Sequence, residues 1–534
     1  MNYVDLFRAT LPETALEVAA LLVIIADLGF LRKAAQRTRV AVAALIGAVG
    51  CSGALWPVLL TIKCQCGAGH FYGHNYSVDG HVILAAGGSA SVAQVAILVL
   101  TALTLLLLID SEFTRNPGEY VSVVLMAAAG GLIVAAAQDL LVIFVGLELL
   151  SLGLYILTAF AKKSGKSAEA ALKYYLFGGM SAAFLLFGFS YLYGLSGSTN
   201  LYDVVIRSFV PVANGASPLL YVALVMIAAG LGFKVAAVPF HFWAPDTYEG
   251  APVPAAAFVA SVSKVASFAL LISVVRAATR FFGWTRYGDA IGVVGFPFSR
   301  PSASAFPGFG SAFCLLLMTL AVASMIFGNL AALAQVSVRR LVAYSAIAHA
   351  GYILLGLAFV SYKQWGPHYF LYSNANEMAV LYYIVSYGLT TIGAFGLVGV
   401  VERATGSDKL DSFLGLQKRN PLLAAVLLVL FLSLAGIPPL VGFWAKFNLF
   451  AAVLAAGTGP VPFALVALAI AFSAVSLYYY LQVLKRAYVM PAADGSPIKV
   501  HPVALTVLLL IAAAVVVFGC FPALLQGWIA SFYV

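Results

Sequence analysis

Long runs of apolar residues, separated by short polar segments, fill almost the whole chain. No segment alternates strictly between apolar and polar residues, so membrane-spanning strands are not expected. A hydrocarbon core of about 30 Å needs roughly 20 apolar residues per helix. The pattern therefore predicts an all-α polytopic membrane protein with fourteen spans near residues 15–31, 40–62, 82–109, 120–138, 140–161, 168–194, 219–243, 253–275, 312–334, 341–360, 379–401, 422–454, 461–484 and 501–529.

Composition supports this class and excludes others. Of the 534 residues, 63% are hydrophobic and 9% are charged, whereas soluble domains carry about 25% charged residues. A soluble enzyme, a disordered protein and a nucleic-acid binder are excluded despite the net charge of +9. The N-terminal segment lacks the basic start and small-residue cleavage site of a signal peptide, so we expect its apolar run to stay in the bilayer as the first span.

The basic residues predict the orientation. With the N-terminus outside, the inner segments hold seventeen Lys and Arg residues and the outer segments hold eight. Half of those eight fall in one loop, residues 276–311. The positive-inside rule therefore favours both termini on the outer side.

Four basic residues remain, and all are lysines inside predicted spans: Lys173, Lys234, Lys264 and Lys446. A charge at the bilayer centre costs at least about 2.5–3.5 kcal/mol. A buried lysine can exchange its proton near neutral pH, whereas arginine stays charged. Embedded lysines without embedded arginines predict proton exchange rather than fixed positive charge.

Two acidic residues accompany these lysines. Glu148 lies in the middle of the fifth span, and we interpret it as functional. Glu169 precedes Lys173 by four residues, which places both on one helix face, but a solvated helix start explains Glu169 equally well. Three aspartates at span ends are expected to have ordinary interfacial positions: Asp27, Asp110 and Asp139.

Two histidines are candidates for proton relay. His349 lies in the tenth span and can titrate near neutral pH, although a structural buried histidine is the alternative. His241 follows Pro239 in the seventh span, where both readings stay open.

Prolines predict two broken helices. Lys234 lies five residues before Pro239, and Lys446 lies eight residues after Pro438. A proline inside a span breaks the helix, which a membrane tolerates where the break is buried or lines a cavity. The arrangement suggests inverted repeats and four segments: spans one to three (1–118), a first repeat (119–275), a second repeat (312–487) and a last span (488–534).

The five cysteines are scattered without paired CxxC motifs, so no cluster or haem is expected in this chain. Cys64, Cys66, His70 and His74 form a C-x-C-x3-H-x3-H pattern with ligand types that suit zinc or copper. A disulfide to another chain and idle surface chemistry remain alternatives, and no metal is predicted.

Three motifs closely resemble the antiporter-like subunit N of proton-pumping NADH:quinone oxidoreductase, respiratory complex I, which has counterparts in mitochondria and chloroplasts. They are GFKVAAVPFHFWAPDTYEGAPVPAAAFVASVSKVASF, RRLVAYSAIAHAGYILLG and LSLAGIPPLVGFWAKF. The similarity is dense from about residue 119 to 450. The cysteine–histidine pattern matches no motif of this family.

The resemblance implies fourteen spans with two inverted five-helix repeats. It implies that Glu148 modulates Lys234, that Lys264 connects two half-channels, and that Lys446 ends the second; Lys173 and Glu169 match a sixth-span pair. It further implies that NADH, FMN, iron–sulfur clusters and quinone bind to partner subunits, and that other membrane subunits are the partners.

The leading hypothesis is a proton-translocating subunit without electron transfer of its own, in a bacterial inner membrane. The alternative is a subunit of a multi-chain cation/proton antiporter. A passive membrane scaffold fits poorly, because apolar residues would pack at lower cost than buried lysines.

Overall fold

The computed structural model describes residues 7–65, 76–78, 81–111, 113–209, 218–280, 309–359, 361–365, 369–456, 459–492 and 496–533. Helices dominate these ranges, and two short β-hairpins accompany them. The elements in chain order are α1 (Leu11–Ile25), α2 (Gln36–Gln65), β1 (Tyr76–Val78), β2 (His81–Leu84), α3 (Gly88–Leu108), α4 (Pro117–Ala136), α5 (Leu140–Thr158), α6 (Gly165–Ser196), α7 (Leu201–Phe209), α8 (Pro218–Val235), α9 (Trp243–Gly250), α10 (Val253–Arg280), α11 (Phe309–Leu333), α12 (Val338–Ala358), β3 (Ser361–Trp365), β4 (Tyr369–Ser373), α13 (Ala375–Thr405), α14 (Leu416–Arg419), α15 (Pro421–Ala435), α16 (Val441–Ala456), α17 (Pro460–Tyr488), α18 (Pro502–Cys520) and α19 (Pro522–Ala530).

The helices confirm the predicted membrane architecture. Within the described residues, twelve helices are long and apolar enough to cross a membrane. The shorter apolar helices α15 and α16 together form the predicted twelfth span. Helix α1 continues as a π-helix over Ala26–Phe30 and accounts for the first span. Each of the fourteen predicted spans thus corresponds to a helix or to two helices in succession.

The span ends differ from prediction in two places. The third span was predicted from residue 82, but His81–Leu84 pair with β1 and the helix begins at Gly88. The fourteenth span was predicted as one segment to residue 529, but α18 ends at Cys520 and Pro522 begins α19, because a proline disfavours helical geometry in the residue before it. Hydropathy alone registers neither hairpins nor this break.

The ends of the helices form two sides. One side, which we call the basic side, gathers the start of α2 and the ends of α3 and α13, where Arg39 pairs with Asp27 and Arg403 pairs with Asp110. On the opposite side the backbone of Phe532 accepts a hydrogen bond from Gly88 at the start of α3. The last described residues therefore lie opposite the basic side.

Asp27 differs from its predicted interfacial position. It is 2% exposed, and its two carboxylate oxygens accept hydrogen bonds from Arg39 at 2.7 and 2.8 Å. The backbone N–H of Gly118 also donates to it at 3.2 Å. Asp27 therefore fastens the end of the first span to α2 and α4.

The most deeply buried helices are α10, α12 and α13. Helix α12 approaches α11 closely at two glycines: a Cβ on Gly328 would lie 2.6 Å from the Ala348 nitrogen, and one on Gly351 would lie 2.8 Å from the Met325 nitrogen. Small residues at such contacts let backbones pack tightly in membrane proteins. His349 lies between these contacts and is thereby fixed inside the core.

A buried ion pair closes the side opposite the basic side. Arg276 at the end of α10 pairs with Glu377 at the start of α13, and Arg276 also donates to Ser89 of α3. The Tyr533 hydroxyl donates to Glu377 at 2.6 Å. The C-terminal segment therefore ties together three helices that start or end on this side.

Replacing Tyr533 by Phe should lower the free energy of unfolding by about 1.5–3 kcal/mol, the contribution of a hydrogen bond to a charged group. Thermal unfolding of the purified chain in detergent measures this. Tyr193→Phe is the control, because Tyr193 is exposed. Equal melting temperatures for the two variants would contradict a fastening role for Tyr533.

Candidate functional site

Lys234 is buried at the end of α8 and faces α5. It is 7% exposed, and its Nζ donates to the Ser151 hydroxyl at 2.6 Å. The same Nζ lies 4.0 Å from a Glu148 carboxylate oxygen. Glu148 and Ser151 are three residues apart on α5 and so share a helix face. The structure thus brings together the lysine and glutamate that the sequence predicts as partners.

Helix α5 is positioned by its own N-cap. The Asp139 carboxylate accepts from the backbone N–H groups of Leu141 and Val142, satisfying donors that an uncapped helix leaves unpaired. Asp139 also accepts from the Thr199 hydroxyl at 2.6 Å. This fixed start sets which face of α5 presents Glu148 to Lys234.

Both predicted breaks are present, and they are built alike. Helix α8 ends before Ala236, which has φ +59, and α15 ends before Gly436, which has φ +87. Both residues adopt the left-handed conformation that commonly terminates helices. Each break then contains a cis peptide bond, Val238–Pro239 in the first and Pro438–Pro439 in the second.

Lys446 comes from the helix after its break but reaches back to the helix before it. Its Nζ donates to the carbonyl oxygens of Ala435 at 2.8 Å and Leu434 at 3.2 Å, and to the Ser473 hydroxyl at 2.8 Å. The end of a helix exposes unpaired carbonyls and carries partial negative charge. Lys446 therefore occupies the C-terminal end of a half-helix, as Lys234 does in its own last turn.

Lys264 lies at the centre of the molecule with 3% of its surface exposed. Its Nζ donates to the Ala346 carbonyl oxygen of α12 at 2.9 Å. The ammonium group also lies 6.0 Å from the ring centroid of Tyr387, within the range of a cation–π contact.

His349 connects the surroundings of Lys264 and Lys446. Its ring centroid lies 4.9 Å from that of Tyr387 and 5.9 Å from that of Tyr352. Lys446 Nζ lies 5.5 Å from the Tyr352 centroid. His349 Nδ1 is hydrogen-bonded to the Tyr383 hydroxyl at 2.8 Å. Aromatic rings and one imidazole therefore link the two buried lysines.

The first half of the site is separate from this chain of contacts. In the described part of the protein, no hydrogen bond or ion pair joins Lys234 to Lys264. The His241 ring packs against Phe242 and Phe327, with centroid distances of 4.5 and 4.6 Å, and contacts none of the buried lysines in that same part of the chain.

Lys173 and Glu169 lie in a charge network at the basic side rather than beside Lys234. Lys173 is ion-paired to Glu169 and to Asp246, each at 2.7 Å, and its side chain is 40% exposed. Asp246 also binds Arg340 at 2.7 Å, which in turn binds Glu249 at 3.0 Å. Lys173 thus differs from the other three lysines, which are fully enclosed.

The two acidic residues of α9 are tuned by this network. Burial raises the pKa of Asp246, but hydrogen bonds from Lys173 and Arg340 outweigh burial and leave the pKa below its ordinary value. Hydrogen bonds from Arg340 and Lys166 likewise outweigh burial and lower the pKa of Glu249. Both carboxylates stay ionised at neutral pH, and their stabilising effect is lost only as the pH falls through the lowered pKa values.

The expectation that no arginine is embedded was wrong. Arg339 is 5% exposed, and it donates to the Tyr248 carbonyl at 2.8 Å and pairs with Glu402 at 3.3 Å. Ser337 caps α12 by accepting from the Arg340 N–H, so both arginines lie in the first helical turn and not in a loop. A Ser followed by an apolar run signals this start.

Sequence reasoning missed the uncharged partners. Ser151 could have been found from its spacing to Glu148. Tyr352, Tyr383 and Tyr387 resemble ordinary core aromatics in sequence, and Asn329, which donates to the Tyr352 hydroxyl at 3.2 Å, lies on a different helix. Only the packing of α11, α12 and α13 brings them together.

The described residues contain no group of three or more potential metal ligands. The side chains of Cys64, Cys66, His70 and His74 lie outside the described residues, so their pattern stays a sequence observation.

Comparison with known proteins assigns the family. Residues 137–288 and 302–473 match the family described as "NADH:quinone oxidoreductase/Mrp antiporter, TM". The chain is 44% identical over 539 residues to NADH-quinone oxidoreductase subunit N 2 of Acidobacterium capsulatum, covering 99% of each protein. It is 40% identical to subunit N 1 of Roseiflexus castenholzii, covering 80% of this chain and 76% of that relative.

Solved structures agree. A chain of respiratory complex I from Thermus thermophilus with bound aureothin superposes with a TM-score of 0.72 at 31% identity, covering 97% of this chain and 99% of that one. A chain of the Mrp complex from Dietzia has a TM-score of 0.77 at 18% identity, covering 98% and 97%, and shows the shared fold alone. The chain therefore belongs to the subunit N family of NADH-quinone oxidoreductases, the antiporter-like membrane subunits of respiratory complex I.

Proposed function

We propose that this protein translocates protons as a membrane subunit of NADH-quinone oxidoreductase and carries no electrons itself. The observation that carries the proposal is the chain of contacts from Lys264 through Tyr387, His349 and Tyr352 to Lys446. Within the described residues neither lysine has a carboxylate within 4.0 Å. A proton can therefore leave or reach either amine without breaking an ion pair.

Lys234 is the controlled end of the path. Two unit charges 4 Å apart interact by about 4 kcal/mol at an effective dielectric constant of about 20. An ionised Glu148 thus favours the protonated form of Lys234, and a weaker contact with Glu148 releases the proton. Because no direct contact joins Lys234 to Lys264, transfer between them proceeds through water.

The position of Glu148 suits control by a neighbouring subunit. Its side chain is 29% exposed, although it lies on a membrane helix whose exposed residues are otherwise apolar: Leu141, Val145, Leu152 and Ile156. A carboxylate facing lipid is costly, whereas a charged neighbour can both cover it and change its interaction with Lys234. We infer that other membrane subunits of the complex pack at this surface.

Lys173, Glu169 and His241 act at the uptake side in this scheme. The network of Lys173, Asp246 and Arg340 lies where protons would arrive from the basic side. The first repeat (119–275) then contains Lys234 and the second (312–487) contains Lys446, each beside its own broken helix. Lys264 lies on the last helix of the first repeat, and His349 follows it on α12.

The remaining assignments follow from the family. NADH, FMN, iron–sulfur clusters and quinone belong to partner subunits. The basic side faces the cytoplasm of a bacterium, and both termini lie on the outer side of its inner membrane. An Mrp-type antiporter shares the fold, so a dependence of transport on Na⁺ is the outcome that would favour cation/proton exchange instead.

Substituting Glu148→Gln or Lys234→Gln should lower the number of protons moved per quinone reduced, because each removes one partner of the coupled pair. Proton uptake and NADH oxidation measured together in proteoliposomes containing the complex test this. Glu119→Gln is the control, because Glu119 binds only Asn116 among the hydrogen bonds of the described residues.

Assembly, followed on native gels, should remain intact in all three variants. Unchanged proton stoichiometry in both Glu148→Gln and Lys234→Gln would refute the assigned roles.

The placement of Lys446 can be tested with two glycines. A Cβ on Gly436 would lie 2.9 Å from Lys446 Cδ and 3.2 Å from its Nζ, whereas one on Gly406 would have nothing within 4 Å. Both glycines have positive φ, so alanine costs about 1–2 kcal/mol at either position. Gly436→Ala should reduce proton transport severalfold, because it displaces Lys446, and Gly406→Ala should leave transport unchanged. Equal transport in the two variants would show that transport does not depend on the position of Lys446.

A further inference from the structure

A groove of about 980 Å³ opens on the basic side between the start of α2, the end of α3 and the start of α18. It is separate from the buried lysines and from the network around Asp246. Its wall combines charged residues at one end with aliphatic residues at the other. This two-part character is what distinguishes it from the other cavities on this side.

The charged end is basic. Arg37, Lys499 and His501 line it, and all three are exposed. Asp110 is the acidic residue of the groove wall, and it is ion-paired to Arg403. With this carboxylate neutralised, the groove offers excess positive charge to a ligand.

The aliphatic end follows α2 into the membrane. Val40, Ala41 and Leu45 line it from α2 and Val503 lines it from α18. From Arg37 to Leu45 the helix rises by about 12 Å at 1.5 Å per residue. Both α2 and α18 are candidate membrane spans, so this part of the groove runs beside hydrocarbon, with its charged end at the membrane surface.

We propose that this groove binds one anionic phospholipid of the leaflet on the basic side. The headgroup phosphate lies between Arg37 and Lys499, and an acyl chain lies against Ala41 and Leu45. A free phosphate ion would use only the charged end, and a zwitterionic lipid would not match its excess positive charge. Basic recesses between membrane helices on the cytoplasmic side are suited to anionic headgroups.

The bound lipid would fasten α18 to α2. Lys499 precedes α18 by three residues, and Arg37 is in the first turn of α2. One phosphate between them joins the C-terminal span to the N-terminal spans at the basic side, as the Tyr533–Glu377 hydrogen bond does for the C-terminal segment at the opposite side.

Photo-crosslinking tests the proposal on the intact complex. Phosphatidylglycerol with a photoreactive acyl chain is added to phosphatidylcholine nanodiscs containing the complex, and labelled peptides are mapped by mass spectrometry. We expect labelling of α2 and α18 that unlabelled phosphatidylglycerol displaces and that phosphatidylcholine and inorganic phosphate do not.

Two variants separate the parts of the site. Arg37→Gln with Lys499→Gln should weaken the specific labelling about 30-fold, since each basic residue near an anionic surface contributes about 1 kcal/mol. Ala41→Leu should also weaken it, by filling the aliphatic end with the charges intact. The matched control, Lys418→Gln with Lys485→Gln, removes two exposed charges from the basic side outside the groove and should leave labelling unchanged.

The outcomes are distinct. Equal labelling in every variant would mean ordinary boundary lipid and would overturn the proposal. Displacement by inorganic phosphate, or loss of labelling in the charge variant alone, would mean an anion site without a lipid and would overturn it as well.

Discussion

An ammonium group inside an apolar protein needs acceptors, and a helix that ends inside the membrane provides them. The last turn of α15 leaves carbonyl oxygens without helical partners, and two of these hold Lys446. The rest of the arrangement depends on this constraint. The left-handed residue that ends the helix must leave room for the lysine, which is why glycine stands at position 436. The same logic places Lys234 in the last turn of α8.

Neutral acceptors and charged acceptors have different consequences for proton transfer. Lys264 and Lys446 are held by carbonyl and hydroxyl oxygens, whose attraction for the ammonium does not change with a neighbour's charge state. Lys234 alone among the three enclosed lysines has a carboxylate within 4.0 Å in the described residues. The protein thus has one lysine whose proton affinity can be controlled from outside and two that pass the proton on.

Much of the fold could be predicted from the sequence because the bilayer restricts the choices. Apolar runs long enough to span it located every membrane helix, and prolines located both breaks. The charged site residues were also accessible, since Lys234, Lys264 and Lys446 conflict with their apolar surroundings. The partition of Lys173 from these three was not accessible, because its pairing with Asp246 joins residues 73 positions apart. The tyrosines around His349 were hidden for a related reason: a buried tyrosine is ordinary in a core, and its role depends on which helix faces it.

If buried lysines carry protons across the core, Lys264 is the residue whose loss should interrupt the path. It has no carboxylate within 4.0 Å in the described residues and lies between the two halves of the path. The decisive quantity is the number of protons translocated per NADH oxidised by the reconstituted complex with Lys264→Gln, which keeps a donor for the Ala346 carbonyl but cannot exchange a proton at neutral pH. We expect fewer protons per NADH than in the wild type. An unchanged ratio at an unchanged rate of NADH oxidation would show that Lys264 carries no proton.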